Sequence, residues 1–133
     1  MLGMIIGKTK EEALKLGDLF FKMIKGEATD EEIEEYAKRL QALGARNVAI
    51  SMAGDGSMLL TETGETYRMG VPKGKVVNSV GAGDSMVAGF IASYFAEHDY
   101  KKALKYGAAT GSATAFSEGL ATKDQVEKLL GQF

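Results

Sequence analysis

The run Val76-Val77-Asn78-Ser79-Val80-Gly81-Ala82-Gly83-Asp84-Ser85-Met86-Val87-Ala88-Gly89-Phe90 carries the most chemistry per residue in this chain. A glycine-rich turn leads there directly into an apolar stretch with helical spacing. Gly81 and Gly83 permit positive φ and close backbone approach, so successive N–H groups can converge on an anion at the positive end of a helix. Asp84 would repel a static phosphate and is a poor binding residue. It is better suited to take the proton of a hydroxyl that attacks phosphorus, while the amides stabilise charge on the transferring group. Spacing alone leaves a second reading open, in which the glycines make a tight turn and Asp84 caps the helix. Two nucleotide patterns are excluded. No Lys-Ser/Thr pair follows the glycines as in a P-loop, and Met86 stands where the dinucleotide fingerprint needs its third small residue.

Other reactive groups are few. With His98 as the single histidine and no cysteine, neither a multi-histidine metal cage nor a thiolate nucleophile can be built, and no metal-ligand set is assigned. Acid–base chemistry must therefore rest on carboxylates. Lys73 and Lys75 flank the Pro72-Gly74 turn ahead of the motif, where lysines either assist with phosphate or stay solvated.

The elements that must position this segment are legible from periodicity. Thr9 with Glu12, then Ala13, Leu14, Leu16, Leu19, Phe20 and Met23, predict a helix over about 10–25, closed by Gly26. Thr29 with Glu32 repeats the start signal for a helix that presents Ile33, Tyr36, Ala37, Leu40 and Leu43 and stops at Gly44. Asn47–Met52 reads as a strand buried on both faces, of the parallel kind. Ser57–Thr61 and Glu65–Met69 around Thr63-Gly64 read as a hairpin. A third helix runs from Gly83 to about His98. Asp99 caps a fourth through the small-residue run Ala108–Ala115, and Thr122 with Gln125 opens a last one with Val126, Leu129 and Leu130 inward. The Glu31-Glu32-Glu34-Glu35 run with Lys38 and Arg39 fits a solvated face with i,i+4 pairs.

The 133 residues are 45% hydrophobic and 26% charged, with a net charge of −2, which suits one soluble domain with a single core over 1–133. Residues 1–8 read as a tail or a short strand. No basic face is available for nucleic acid or an anionic membrane, and no stretch approaches the roughly 18 apolar residues of a membrane span. The lack of cysteine suits a cytoplasmic setting.

Asn78–Phe90 closely resembles the C-terminal signature of the ribokinase-like (PfkB) carbohydrate kinases, and its wording is most similar to the sugar-phosphate branch of 1-phosphofructokinases and tagatose-6-phosphate kinases. Ala108–Phe116 and Gly119-Leu120-Ala121 fit the same branch, and the resemblance extends from about Ala45 to the C-terminus. It implies an α/β, layered, ribokinase-like fold with a mixed sheet flanked by helices, present as a truncated C-terminal, ATP-binding and catalytic half. It implies ATP with Mg²⁺, and phosphoryl transfer to a hydroxyl of a sugar phosphate of the fructose-1-phosphate or tagatose-6-phosphate class. Asp84 then matches the catalytic base, and Gly81, Ala82 and Gly83 match the anion hole. Ser51, Gly54 and Gly56 match a Ser-x-Gly-x-x-Gly segment near the ATP phosphates, with Ala53 in place of the usual glycine. Ala108 and Ser112 match positions that line the adenine pocket; helix packing is the other reading for both. The family's sugar-binding half and its Asn-x-x-Glu motif have no counterpart, Gly7–Glu12 occupying the latter stretch. The isolated chain is thus expected to be inactive. The alternative is a nucleotide- or anion-binding fragment that self-associates, as a dimer, through its truncated sheet surface.

Overall fold

The computed structural model describes residues 10–133, so the Thr9 cap and the tail or short strand expected over 1–8 lie outside the described residues. The chain divides into two compact units, one taking residues up to Met52 with Leu59–Thr66, the other Ala53–Met58 with Tyr67–Phe133.

In the first unit, helix α1 (Lys10–Ile24) ends at Gly26, whose φ of +71° is the left-handed conformation that glycine adopts without a Cβ penalty. The Gly26 N–H donates to the Met23 carbonyl at 3.1 Å and the Glu27 N–H to that of Lys22 at 2.9 Å, which satisfies two of the helix's last carbonyls. Helix α2 (Asp30–Ala42) starts on Thr29, whose Oγ1 accepts the Glu32 N–H at 3.2 Å. Glu32 turns its carboxylate to Lys22 on α1, with Nζ donating at 2.8 Å. Each partner favours the other's charged form. The hydrogen bond and attraction of Glu32 raise the Lys22 pKa above 10.5, and the hydrogen bond of Lys22 lowers that of Glu32 below 4.5. Ile33, Tyr36 and Ala37 form the buried stripe of α2. Gln41 Nε2 ties the end of α2 to the carbonyls of Arg46 at 2.9 Å and Thr61 at 2.8 Å. The solvated face carries its expected pairs, Lys38 with Glu34 at 2.7 Å and Arg39 with Glu35.

Strands β1 (Val48–Ser51), β2 (Ser57–Leu60) and β3 (Thr66–Met69) form a sheet in the order β1-β2-β3. Both links are far shorter than a parallel crossover requires, so neighbouring strands run antiparallel. Burial corrects one expectation. In β1 only Val48 and Ile50 are buried while Ala49 and Ser51 are exposed, and it is β2 that is buried throughout. The reason is position, since β1 is an edge of these three strands and β2 is the middle one. A parallel partner for β1 does not occur among the described residues. The hairpin turn closes with the Thr61 N–H donating to the Glu65 carbonyl at 2.9 Å.

The second unit holds α3 (Ala82–Glu97), α4 (Tyr100–Ala115) and α5 (Lys123–Leu130). Helix α3 stops at His98, a left-handed cap whose N–H donates to the Tyr94 carbonyl at 2.7 Å. Asp99 then caps α4 by accepting the Lys102 N–H at 2.9 Å. The two helices meet through absent side chains. A Cβ at Gly107 would sit 2.8 Å from the Met86 carbonyl oxygen, and one at Gly111 would sit 2.9 Å from that of Ala82. Nothing larger than glycine fits at either place without moving backbone. Helix α5 opens with a reciprocal capping box between Thr122 and Gln125. Val126 packs with Ala109 and Ala113, and Tyr106, Ala121, Leu129, Leu130 and Phe133 surround them.

Candidate active site

The approach to α3 is fixed by the far end of α4. The N–H groups of Val77 and Asn78 both donate to the Ala115 carbonyl, at 2.8 and 3.1 Å. Asn78 Oδ1 then accepts the Val80 N–H at 3.0 Å, folding the chain back on itself before the glycines. Gly81 adopts φ +81°, where a side chain would be strained. A Cβ there would meet only Leu120, at an ordinary 3.7 Å, so conformation rather than space calls for glycine.

The first helical bond of α3 runs from the Ser85 N–H to the Gly81 carbonyl at 2.9 Å, which makes Gly81 the N-cap. Asp84 is therefore the third residue of the helix and not its cap, contrary to the alternative that spacing had left open. Glycine brings no capping oxygen, and no side chain caps this terminus. The Ala82 N–H is engaged by the Ser79 carbonyl at 3.2 Å. The amides of Gly83 and Asp84, in the turn that an α-helix leaves without internal acceptors, point out of the helix end. Gly83 and Asp84 are both exposed. A carboxylate with two neighbouring amides at a helix N-terminus can handle a group that is anionic at one atom and sheds a proton at another.

Beneath this turn lies a residue that sequence reasoning missed. Thr114 on α4 is buried, donates through Oγ1 to Ser85 Oγ at 2.9 Å and accepts the Ala121 N–H at 3.2 Å. It locks the first turn of α3, the last turn of α4 and the Leu120-Ala121 segment together. The available signal was a threonine inside a run of alanines and glycines, where a hydroxyl needs a partner.

The other expected site residues are distributed as follows. Ala108 is buried and Ser112 half-buried on α4, one turn apart. Gly54 is exposed within the short 3-10 turn Ala53–Asp55. Gly56, at φ +89°, is buried where a Cβ would stand 2.2 Å from the Met69 carbonyl oxygen, so the hairpin itself demands glycine. Ala53, the departure from the family's glycine, holds φ +51°, a left-handed conformation that costs a non-glycine residue about 1–2 kcal/mol. Ser51 is exposed at the end of β1 and belongs to the first unit. Lys73 and Lys75 are exposed, and the Lys73 N–H donates to Gln132 Oε1 at 2.9 Å. Among the described residues no group of three or more acidic, histidine or cysteine side chains could hold a metal ion. No described helix is long and apolar enough to cross a membrane.

Comparison with known proteins gives these features a context. Residues 10–127 match the model of the pfkB family carbohydrate kinases. The chain is 47% identical to a 1-phosphofructokinase of Bacillus subtilis over 116 residues, covering 87% of this chain and 37% of that protein. It is 36% identical to a D-tagatose-1-phosphate kinase of Bacillus licheniformis, covering 78% of this chain and 34% of the relative. Among solved structures, one provisionally assigned as a phosphofructokinase from Staphylococcus aureus superposes with a TM-score of 0.76 at 36% identity, over 88% of this chain and 38% of the other. The chain thus spans little more than a third of the length of the relatives it matches. The α/β architecture is the ribokinase-like one, and the chain belongs to the pfkB family of carbohydrate kinases.

Proposed function

We propose that this chain is the phosphoryl-handling portion of a kinase that transfers the γ-phosphoryl group of ATP to a hydroxyl of a phosphorylated ketohexose, of the fructose-1-phosphate or tagatose-phosphate class. The observation that carries the reading is the exposed Asp84 in the first turn of α3, beside amides that no side chain caps. In this mechanism the acceptor oxygen attacks the γ-phosphorus and its proton passes to the Asp84 carboxylate. The bond from phosphorus to the β,γ-bridging oxygen breaks, and ADP leaves with that electron pair. The Gly81–Gly83 segment holds the oxygens of the migrating group, the Gly83 amide most directly, because its N–H has no carbonyl acceptor within the helix. Ala108, Ser112, Ser51, Gly54 and Gly56 are assigned to the nucleotide from the family resemblance of their segments. The described residues provide no acidic cluster for a magnesium ion; magnesium ordinarily enters such reactions on the nucleotide's own phosphates.

Kinase turnover requires a positioned acceptor. The test therefore uses a chimera in which this chain replaces the matched portion of the Bacillus subtilis relative. The parent chimera is expected to phosphorylate a ketohexose phosphate, and Asp84→Asn to lower kcat by about 10²–10⁴-fold, the usual contribution of a general base. ATP affinity should hold or rise in that variant, since a negative charge beside the phosphates is removed. An unchanged kcat would remove Asp84 from the mechanism.

A further inference from the structure

A serine or threonine within a helix commonly turns its hydroxyl back to the carbonyl four residues earlier. Thr110 on α4 does so, its Oγ1 donating to the Tyr106 carbonyl at 2.8 Å, and Ser117 just beyond the helix donates to that of Ala113 at 2.8 Å. Thr114 departs from this pattern. Its one proton goes across to Ser85 Oγ on α3 at 2.9 Å, while its oxygen accepts the Ala121 N–H at 3.2 Å. A buried hydroxyl that leaves its own helix for a neighbouring one fixes that neighbour.

The part it fixes is bracketed. The Ser85 N–H donates to the Gly81 carbonyl at 2.9 Å, so Ser85 holds the N-cap with its main chain and α4 with its side chain. Ala82, Gly83 and Asp84 lie between those two ends. Leu120, the neighbour of Gly81, immediately precedes the amide that Thr114 holds. Other ties of α4 to this segment use the main chain. The Ala115 carbonyl accepts the N–H groups of Val77 and Asn78, and Gly111 lies close against the Ala82 carbonyl. Loss of the hydroxyl pair therefore leaves the helices docked and frees only the turn.

We infer that Thr114, acting through Ser85, is a positioning residue that keeps the Gly83 amide and the Asp84 carboxylate aligned with the migrating phosphoryl group. Its bearing on turnover rests on the function proposed above; the bracket itself does not. A misplacement of about 1 Å, caused by a change remote from the chemistry, is enough to slow a reaction about 10²-fold.

Ser85→Ala, Thr114→Val, Thr114→Ser and the Ser85→Ala/Thr114→Val double variant test this in the chimera described above. Ser85→Ala and Thr114→Val are each expected to lower kcat by about 10- to 10²-fold, with KM for ATP and for the ketohexose phosphate unchanged within about twofold. The double variant should fall no further than either single one, and Thr114→Ser should retain the parent kcat. Thr114→Val also strips the Ala121 N–H of its acceptor and should melt lower than Ser85→Ala, so an equal loss of kcat at unequal stability separates positioning from folding. In the isolated chain, hydrogen exchange of the residue 85 amide should accelerate about tenfold in Ser85→Ala and Thr114→Val, Thr114→Ser behaving as the parent. That readout needs no turnover, so it decides the matter even for an inactive chimera. Unchanged exchange at residue 85, additive losses in the double variant, or a full kcat in Ser85→Ala where Asp84→Asn has lost it would each overturn the inference. A full kcat in Asp84→Asn, with Ser85→Ala impaired, would instead remove the proposed base and leave the positioning role standing.

Discussion

Where α3 meets α4 the surfaces are shaped by what is missing, glycines at 107 and 111 letting one helix lie against the backbone oxygens of the other. Where α1 meets α2 an exposed ion pair between Lys22 and Glu32 spans helices whose ends are fixed by glycine stops and a threonine cap. The first arrangement tolerates almost no change, because an added methyl group must displace a main-chain carbonyl. The second is held by groups that water competes for, and each contributes little. The proposed chemistry sits on the intolerant pair. Ala82, whose carbonyl oxygen faces Gly111, is one residue from the amide assigned to the migrating phosphoryl group.

Four experiments sharpen or break this contrast. The largest effect is expected from Asp84→Asn, which in the chimera should cost the kcat named above yet leave the melting temperature of the isolated chain unchanged, since its side chain is exposed. Gly111→Ala should do the reverse in stability, with a loss of about 1–3 kcal/mol in denaturant titrations from overpacking against Ala82 and Met86. If it melts like the parent, the close approach of α3 and α4 is not what holds the site. Thr122→Ala removes one half of the capping box of α5 and should cost about 1 kcal/mol in the same titration. The smallest change belongs to Glu32→Gln. The lowered pKa of Glu32 means that its contribution is present above the unfolded value near 4.5 and is lost as pH falls through the lower folded value. The raised pKa of Lys22 means that its share is present below 10.5 and is lost as pH rises through the higher folded value. The stability difference between parent and Glu32→Gln should therefore be flat between those limits, close at both extremes, and shrink with added salt.

The contrast also explains what could be read from the sequence. Helices α1, α2, α4 and α5 announced themselves through caps and apolar spacing, because local signals set their ends: Thr29, Asp99, Thr122 and Gly26 all act as their types suggest. The burial of β1 departs from expectation because four residues such as Val48–Ser51 look the same in the middle of a sheet and at its edge; only the neighbours decide. At the candidate site the glycine-rich turn was visible, but the identity of the cap was not. Gly81 caps with its backbone alone, so composition pointed to Asp84, the nearest residue able to cap with a side chain. Thr114 was invisible as a support because its partners, Ser85 and Ala121, are distant or unremarkable in sequence and meet only when α4 lies on α3.

The central claim is that the N-terminal turn of α3 receives a nucleotide's terminal phosphate. Amide chemical shifts of the isotopically labelled chain, followed as magnesium-ATP is added, test it most directly. The account predicts saturable shifts led by the amides of Gly81, Gly83 and Asp84, with ADP moving them less. Saturable shifts elsewhere while those three amides stay still would contradict it.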